Sequence, residues 1–209
     1  MPTIACLHTV ESNVALFSAT CPPDLRLTHT LRPDLLAGAG EPGGRDAALA
    51  ATAAALHALA AGADAVLLTC STVGPAAQMA AEGTDVPVVR ADRALADAAT
   101  AAGGTVVVLC AAPTTLGPTG ELFEESAART GARIDLRLVE GAWEDFRAGD
   151  VGAYHRRIAA AADGAFAEGI ATVALAQASM SGAAELARLG KPLTVPATSL
   201  DALVRRFGE

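Results

Sequence analysis

Aromatic side chains are scarce in this chain, at 3% of 209 residues. Proteins that bind single-stranded nucleic acid stack bases on such rings, so that class of function loses its usual platform. Positive charge is short too: Lys and Arg number 15 against 23 Asp and Glu, a net charge of −8. That balance disfavours a phosphate backbone, and no nucleic-acid partner is expected. An anionic small molecule remains admissible, because its binding depends on local donors rather than on total charge. Long hydrophobic runs are missing as well. The Ala-rich stretches are broken by Asp, Gly, Arg or Glu before they reach the length of a membrane span, so no membrane partner is expected. The first ten residues carry neither a basic start nor a cleavage site, so no secretory leader is expected. Cys6, Cys21, Cys70 and Cys110 are scattered without metal-ligand spacing, and no metal is expected. These readings describe a cytoplasmic protein with reduced thiols.

What is present is a regular alternation. Apolar residues make up 52% of the chain, enough for a substantial core. Short β-branched or Leu-rich runs at 4–8, 25–29, 65–69, 86–89, 105–110, 134–139, 171–176 and 193–195 predict strands. Between them, Ala-rich segments at 12–19, 45–61, 75–81, 93–102, 118–130, 151–168, 182–188 and 200–207 predict helices. This is the pattern of an α/β fold with mainly parallel sheets. The Gly-rich stretch 38–44 has no Gly-Lys-Ser/Thr ending and does not directly follow a strand, so it predicts a flexible loop or lid rather than a phosphate cradle. No Gly-x-Gly-x-x-Gly follows the first strand, so a dinucleotide is not implied.

The chain also repeats itself. Gly62-Ala-Asp-Ala-Val-Leu-Leu-Thr-Cys70 matches Gly169-Ile-Ala-Thr-Val-Ala-Leu-Ala-Gln177. Each continues through a polar turn into an Ala-Ala-x-(Met/Leu)-Ala helix, then a Gly and a Pro-led strand. The segment ending at His29 likewise resembles the one ending at Glu140, and the first strand with its Ser12-Asn13 loop matches the strand ending at Cys110 with its Thr114-Thr115 loop. Two similar α/β/α lobes follow, about 1–90 with 196–209 and about 91–195. Duplicated α/β halves usually bind ligands at the C-terminal ends of their strands, in a cleft between the halves.

Thr69-Cys70-Ser71-Thr72 sits at a predicted strand-to-helix corner. Backbone N–H groups at such a corner favour a thiolate, the form that abstracts a proton or attacks carbon. Ser71 and Thr72 add hydroxyl donors suited to a carboxylate. This turn resembles the Cys-Asn-Thr or Cys-Ser-Thr turn of the aspartate/glutamate racemase superfamily, which includes hydantoin racemases, maleate isomerases and arylmalonate decarboxylases. The two-half organisation is similar to that family across essentially the whole chain. The resemblance implies proton transfer beside a carboxylate, without metal or organic cofactor, between two cysteines that flank the reacting carbon. It also implies a homodimer.

One departure bears on that implication. The repeat places Gln177 opposite Cys70, and an amide is neither acid nor base near neutral pH. A symmetric two-thiol racemase is therefore in doubt, and no cysteine follows Cys110. The catalytic candidates are Cys70 and His29, the latter as a neighbour that tunes the thiol. The substrate-binding candidates are Ser12, Asn13, Ser71, Thr72, Thr114, Thr115, Gln177 and Ser179, several of which serve equally well as helix caps. Cys6 reads as core and Cys21 as a turn residue; His8 lies near the mouth of the expected cleft. Three readings remain: a racemase or isomerase acting on a small carboxylic acid, a single-cysteine decarboxylase or lyase, and a binding protein on the same fold.

Overall fold

The computed structural model describes residues 1–208. The chain divides into two compact units, one of residues 1–92 with the chain from Ser199 onward, the other Arg93–Thr198. Unit 1 contains β1 (Thr3–His8), α1 (Ser12–Thr20), β2 (Arg26–Leu31), α2 (Pro33–Gly40), α3 (Arg45–Ala60), β3 (Ala65–Leu68), α4 (Ala76–Ala81) and β4 (Val88–Arg90). The helix α5 (Ala91–Thr100) leads into unit 2. There follow β5 (Thr105–Cys110), a 3-10 turn at Pro113–Thr115, α6 (Leu116–Ala127), β6 (Arg133–Leu138), α7 (Ala142–Arg147) and α8 (Val151–Ala167). Then come β7 (Thr172–Leu175), a 3-10 segment at Ala178–Glu185, β8 (Leu193–Thr194) and α9 (Val195–Gly208).

Each unit holds a four-stranded, wholly parallel sheet, ordered β2-β1-β3-β4 in one and β6-β5-β7-β8 in the other. The alternation of strand and helix dictates this, because a parallel neighbour can be reached only through a crossover. The sequences Ala-Val-Leu-Leu of β3 and Thr-Val-Val-Val-Leu-Cys of β5 are apolar on both faces, and all of β3 and all of β5 after Thr105 is buried. In unit 1, Leu7, Val66 and Leu68 face Leu56 and Ala60 of α3 and Ala76, Ala77 and Ala80 of α4. In unit 2, Val107, Leu109, Val173 and Leu175 meet Tyr154, Ile158, Ala162 and Ala165, one stripe of α8. Burying each such leucine contributes about 1.5–3 kcal/mol. Small alanines on α3, α4 and α8 let these helices sit close to the sheet. No described helix is long and apolar enough to cross a membrane.

Four local expectations need correcting. The stretch expected as a loop from Gly38 onward is helical to Gly40, since Pro33 starts α2 without needing its missing N–H. Only the turn after it is irregular, and there Gly44 is required: a Cβ would lie 2.2 Å from the Gly38 carbonyl oxygen. The helix expected at 182–188 is instead the 3-10 segment Ala178–Glu185. The last helix begins at Val195, five residues earlier than its apolar pattern suggested, because Pro196 is tolerated in a first turn. Short α7 went unread, its six residues being too few for a periodicity.

Candidate active site

In both sheets the strand order reverses beside the first strand, and ligands of open parallel sheets bind outside the carboxyl ends at that point. In unit 1 the point lies at the ends of β1 and β3. Thr69 N–H donates to Leu7 O at 3.1 Å, extending the ladder one residue beyond β3. Cys70 follows, half-buried, with its side chain against the core cluster of Val73, Ala76 and Ala77. Ser71 and Thr72 are exposed in the turn that leads to α4. That turn is tight for a reason: a Cβ at Gly74 would come within 2.5–2.7 Å of the Arg90 guanidinium, which is held by Asp92 through bonds of 3.0 and 2.8 Å.

The loop after β1 supplies Ser12, exposed, and Asn13, which is only 8% exposed. The Asn13 side chain makes no hydrogen bond to another described residue, and its amide atoms keep access to solvent.

His8, the last residue of β1, is wholly buried. Its Nδ1 lies 2.8 Å from Thr69 Oγ1 and its Nε2 lies 2.9 Å from His29 Nδ1. His29 is half-buried on β2, and its Nε2 is 3.0 Å from Ser18 Oγ. Burial, and then the neighbouring His29, hold the His8 imidazole down at about 4; burial alone lowers His29. Cys6 also lies here, since the β1–β2 register sets it directly against His29. Burial pushes its thiol up to about 12.

Unit 2 presents the matching corner with other side chains. Ala176 N–H donates to Leu109 O at 3.0 Å, as Thr69 does to Leu7. Gln177 follows, half-buried, with its Oε1 accepting from Ala111 N–H at 2.8 Å and its Nε2 donating to Thr115 Oγ1 at 2.5 Å. Thr115 in turn donates to Ala112 O at 2.7 Å, while Thr114 is exposed. Ser179 Oγ pairs with the buried Tyr154 hydroxyl at 2.9 Å, and Ser179 O with His155 Nε2 at 2.9 Å. Cys110 ends β5 fully buried, and burial raises its thiol. The mirrored pair expected of His29 and Glu140 is not formed. In the sheet register β2 Arg26 corresponds to β6 Arg133, so His29 corresponds to Leu136, and Glu140 lies exposed beyond the strand.

Thus Ser12, Asn13, Cys70, Ser71 and Thr72 gather at the strand ends of unit 1, and Thr114, Thr115, Gln177 and Ser179 at those of unit 2. Sequence reasoning passed over Thr69 and Arg90. Thr69 stood inside the quoted motif, and its strand-end position was the available signal.

The family model for Asp/Glu/hydantoin racemases matches residues 4–203. The chain belongs to this racemase family. Among solved structures it resembles an aspartate racemase homologue from Pyrococcus horikoshii, with TM-score 0.73 and 16% identity over all of both chains. It also resembles the allantoin racemase of Klebsiella pneumoniae, with TM-score 0.72 and 15% identity over 100% of this chain and 89% of that one. The aspartate racemase of Picrophilus torridus matches with TM-score 0.73 and 11% identity, covering 100% and 95%. At these identities the racemase fold is what is shared. No curated protein sequence matches significantly.

Proposed function

We propose that this racemase-family chain moves a proton at the carbon next to the carboxylate of a small acid, with the Cys70 thiol as the acid or base and without a cofactor. The observation that carries the reading is the placement of Cys70: half-buried, directly beyond β3, at the reversal point of a parallel sheet. A substrate carboxylate needs several converging donors, and the unpartnered Asn13 amide, the Ser12, Ser71 and Thr72 hydroxyls and the N–H groups of the turn supply that chemistry. The proton leaves the α-carbon for sulfur, and the electron pair spreads into the carboxylate, whose developing charge those donors stabilise. His8 and Thr69 hold the strand end from which Cys70 projects, through their 2.8 Å contact.

One observation favours a one-sided version of this chemistry, such as decarboxylation with protonation or an isomerisation. At the matching position of unit 2 stands Gln177, whose carbonyl and amide groups are both engaged within the protein.

Solvent exchange tests the reading. Aspartate, glutamate and a substituted malonate are incubated with the protein in deuterated water. Deuterium should enter the α-carbon of at least one, and Cys70→Ala should slow entry about 10²–10⁴-fold. Chiral analysis then separates racemisation from one-sided protonation. Exchange that survives in a folded Cys70→Ala variant overturns the proposal. So does thermal stabilisation by these acids without any exchange, which marks a binding protein.

A further inference from the structure

The contact between His8 and His29 contains an unresolved polarity. Thr69 Oγ1 has one proton and lies 2.8 Å from His8 Nδ1 and 3.1 Å from Leu7 O; when that proton goes to Leu7 O, the oxygen accepts from His8 Nδ1–H. Ser18 Oγ has one proton, given to Val14 O at 2.7 Å, so it can only accept from His29 Nε2–H. Each neutral imidazole carries a single N–H. In that arrangement His8 Nε2 and His29 Nδ1 are both lone pairs facing each other at 2.9 Å; with Thr69 donating to His8 instead, His8 Nε2–H donates to His29 Nδ1. Two acceptors at that distance repel unless a positive centre lies between or beside them.

The third group at this spot is a thiol. Cys6 and His8 are two residues apart on β1 and so share a face, and the register puts His29 of β2 on that face opposite Cys6. Cys6 Sγ and one ring nitrogen each of His8 and His29 all lie within 4.8 Å of one another. The Cys6 thiol is fully buried and makes no hydrogen bond to a described residue. We propose that Cys6, His8 and His29 form a binding site for a divalent ion of the zinc class.

Thiolate and imidazole are the ligands such ions take in tetrahedral sites, at about 2.3 Å for sulfur and about 2.0–2.1 Å for nitrogen. Small movements of three side chains reach those lengths from the observed separations. Both imidazoles already have what a metal-bound histidine usually has, a partner on the far nitrogen that fixes tautomer and ring plane. Here the partners are Thr69 and Ser18. A shared proton is the competing positive centre, and the titration below tells it apart from an ion. Coordination instead exchanges the Cys6 proton for the ion: the S–H bond breaks, an S–metal bond forms, and one proton leaves for solvent per ion bound. No oxidation state changes. The ion would tie β1 to β2 one residue away from Thr69 and two from Cys70 along the hydrogen-bonded chain, whatever reaction Cys70 performs.

The test is titration of the full-length, chelator-stripped protein with Co(II), then Zn(II), followed by visible and near-ultraviolet absorption and by proton release. One equivalent of Co(II) should bind with a thiolate-to-cobalt charge-transfer band and tetrahedral d–d bands, and Zn(II) should displace it. Cys6→Ala and His29→Ala should abolish the band, whereas Cys21→Ala and Cys70→Ala should keep it. Ser18→Ala, an exposed change that cannot unfold the core, should weaken binding about 10–100-fold. The proposal fails if the folded wild-type protein binds no ion. It also fails if the band survives Cys6→Ala or disappears in Cys70→Ala.

Discussion

At the carboxyl end of the unit 1 sheet the chain presents His8, Thr69 and Cys70; at the matching end of unit 2 it presents Cys110, Ala176 and Gln177. The backbone of the two corners is the same down to the bond that extends β3 to Leu7 and β7 to Leu109. The side chains have diverged in how they spend their hydrogen-bonding capacity. Unit 2 closes its polar groups on one another: Gln177 on Ala111 and Thr115, Ser179 on Tyr154. Unit 1 leaves capacity over, in the unpartnered Asn13 amide and the half-buried Cys70 sulfur. The proposed function assigns chemistry to the first corner and structure to the second.

The largest expected effect sets Cys70 against Cys110. With Cys70→Ala slowing α-carbon exchange about 10²–10⁴-fold, Cys110→Ala should leave it within a few-fold, since a fully buried thiol raised by burial cannot meet a substrate. Equal losses in the two variants would break the asymmetry. The cores, by contrast, should behave alike. Leu68 and Leu175 occupy equivalent positions with 1% and 0% exposure, so Leu68→Ala and Leu175→Ala should each cost about 2–5 kcal/mol in urea unfolding. A loss below about 1 kcal/mol for either would show that the two sheets are not equivalently packed.

The third effect belongs to unit 2 alone. Burial pushes the Tyr154 hydroxyl up to about 12 from its usual 10, partly offset by Ser179. Between those two values the unfolded chain has released the tyrosine proton and the folded chain has kept it. The unfolded state then binds fewer protons, and stability must fall as pH rises. The loss should reach about 2 kcal/mol by pH 12 relative to pH 10. Tyr154→Phe should flatten this part of the stability profile, measured by denaturant unfolding at fixed pH values. An unchanged slope would mean that Tyr154 ionises freely.

The sequence made these corners legible to different depths. Two parallel sheets follow from alternating apolar runs and Ala-rich helices, and the match of Cys70 with Gln177 holds in the sheet register because both follow strands of the same length. The match of His29 with Glu140 failed because β2 and β6 both begin with Arg but carry different turns before them, so similar letters slid by four residues. The 3-10 segment after Gln177 and the short α7 escaped because neither is long enough to show a period. The grouping of Cys6, His8 and His29 was invisible for another reason. Its spacing is set by two neighbouring parallel strands 21 residues apart in the chain, not by a local motif, and so it resembles no ligand pattern.

The smallest effect probes the closed corner itself. Gln177→Ala leaves Ala111 N–H, which is 2% exposed, without an acceptor, and removes the donor to Thr115. An orphaned buried donor costs about 1–3 kcal/mol, because its water was removed on folding and nothing replaces it. Gln177→Glu should cost less, since a carboxylate oxygen still accepts from Ala111; only the bond to Thr115 is lost unless its hydroxyl turns away from Ala112 O. The order Ala worse than Glu, read from urea midpoints at neutral pH, is the signature of a structural amide. If instead both variants unfold like the wild type, the amide is not holding the corner together, and Gln177 returns to the groups available for a substrate.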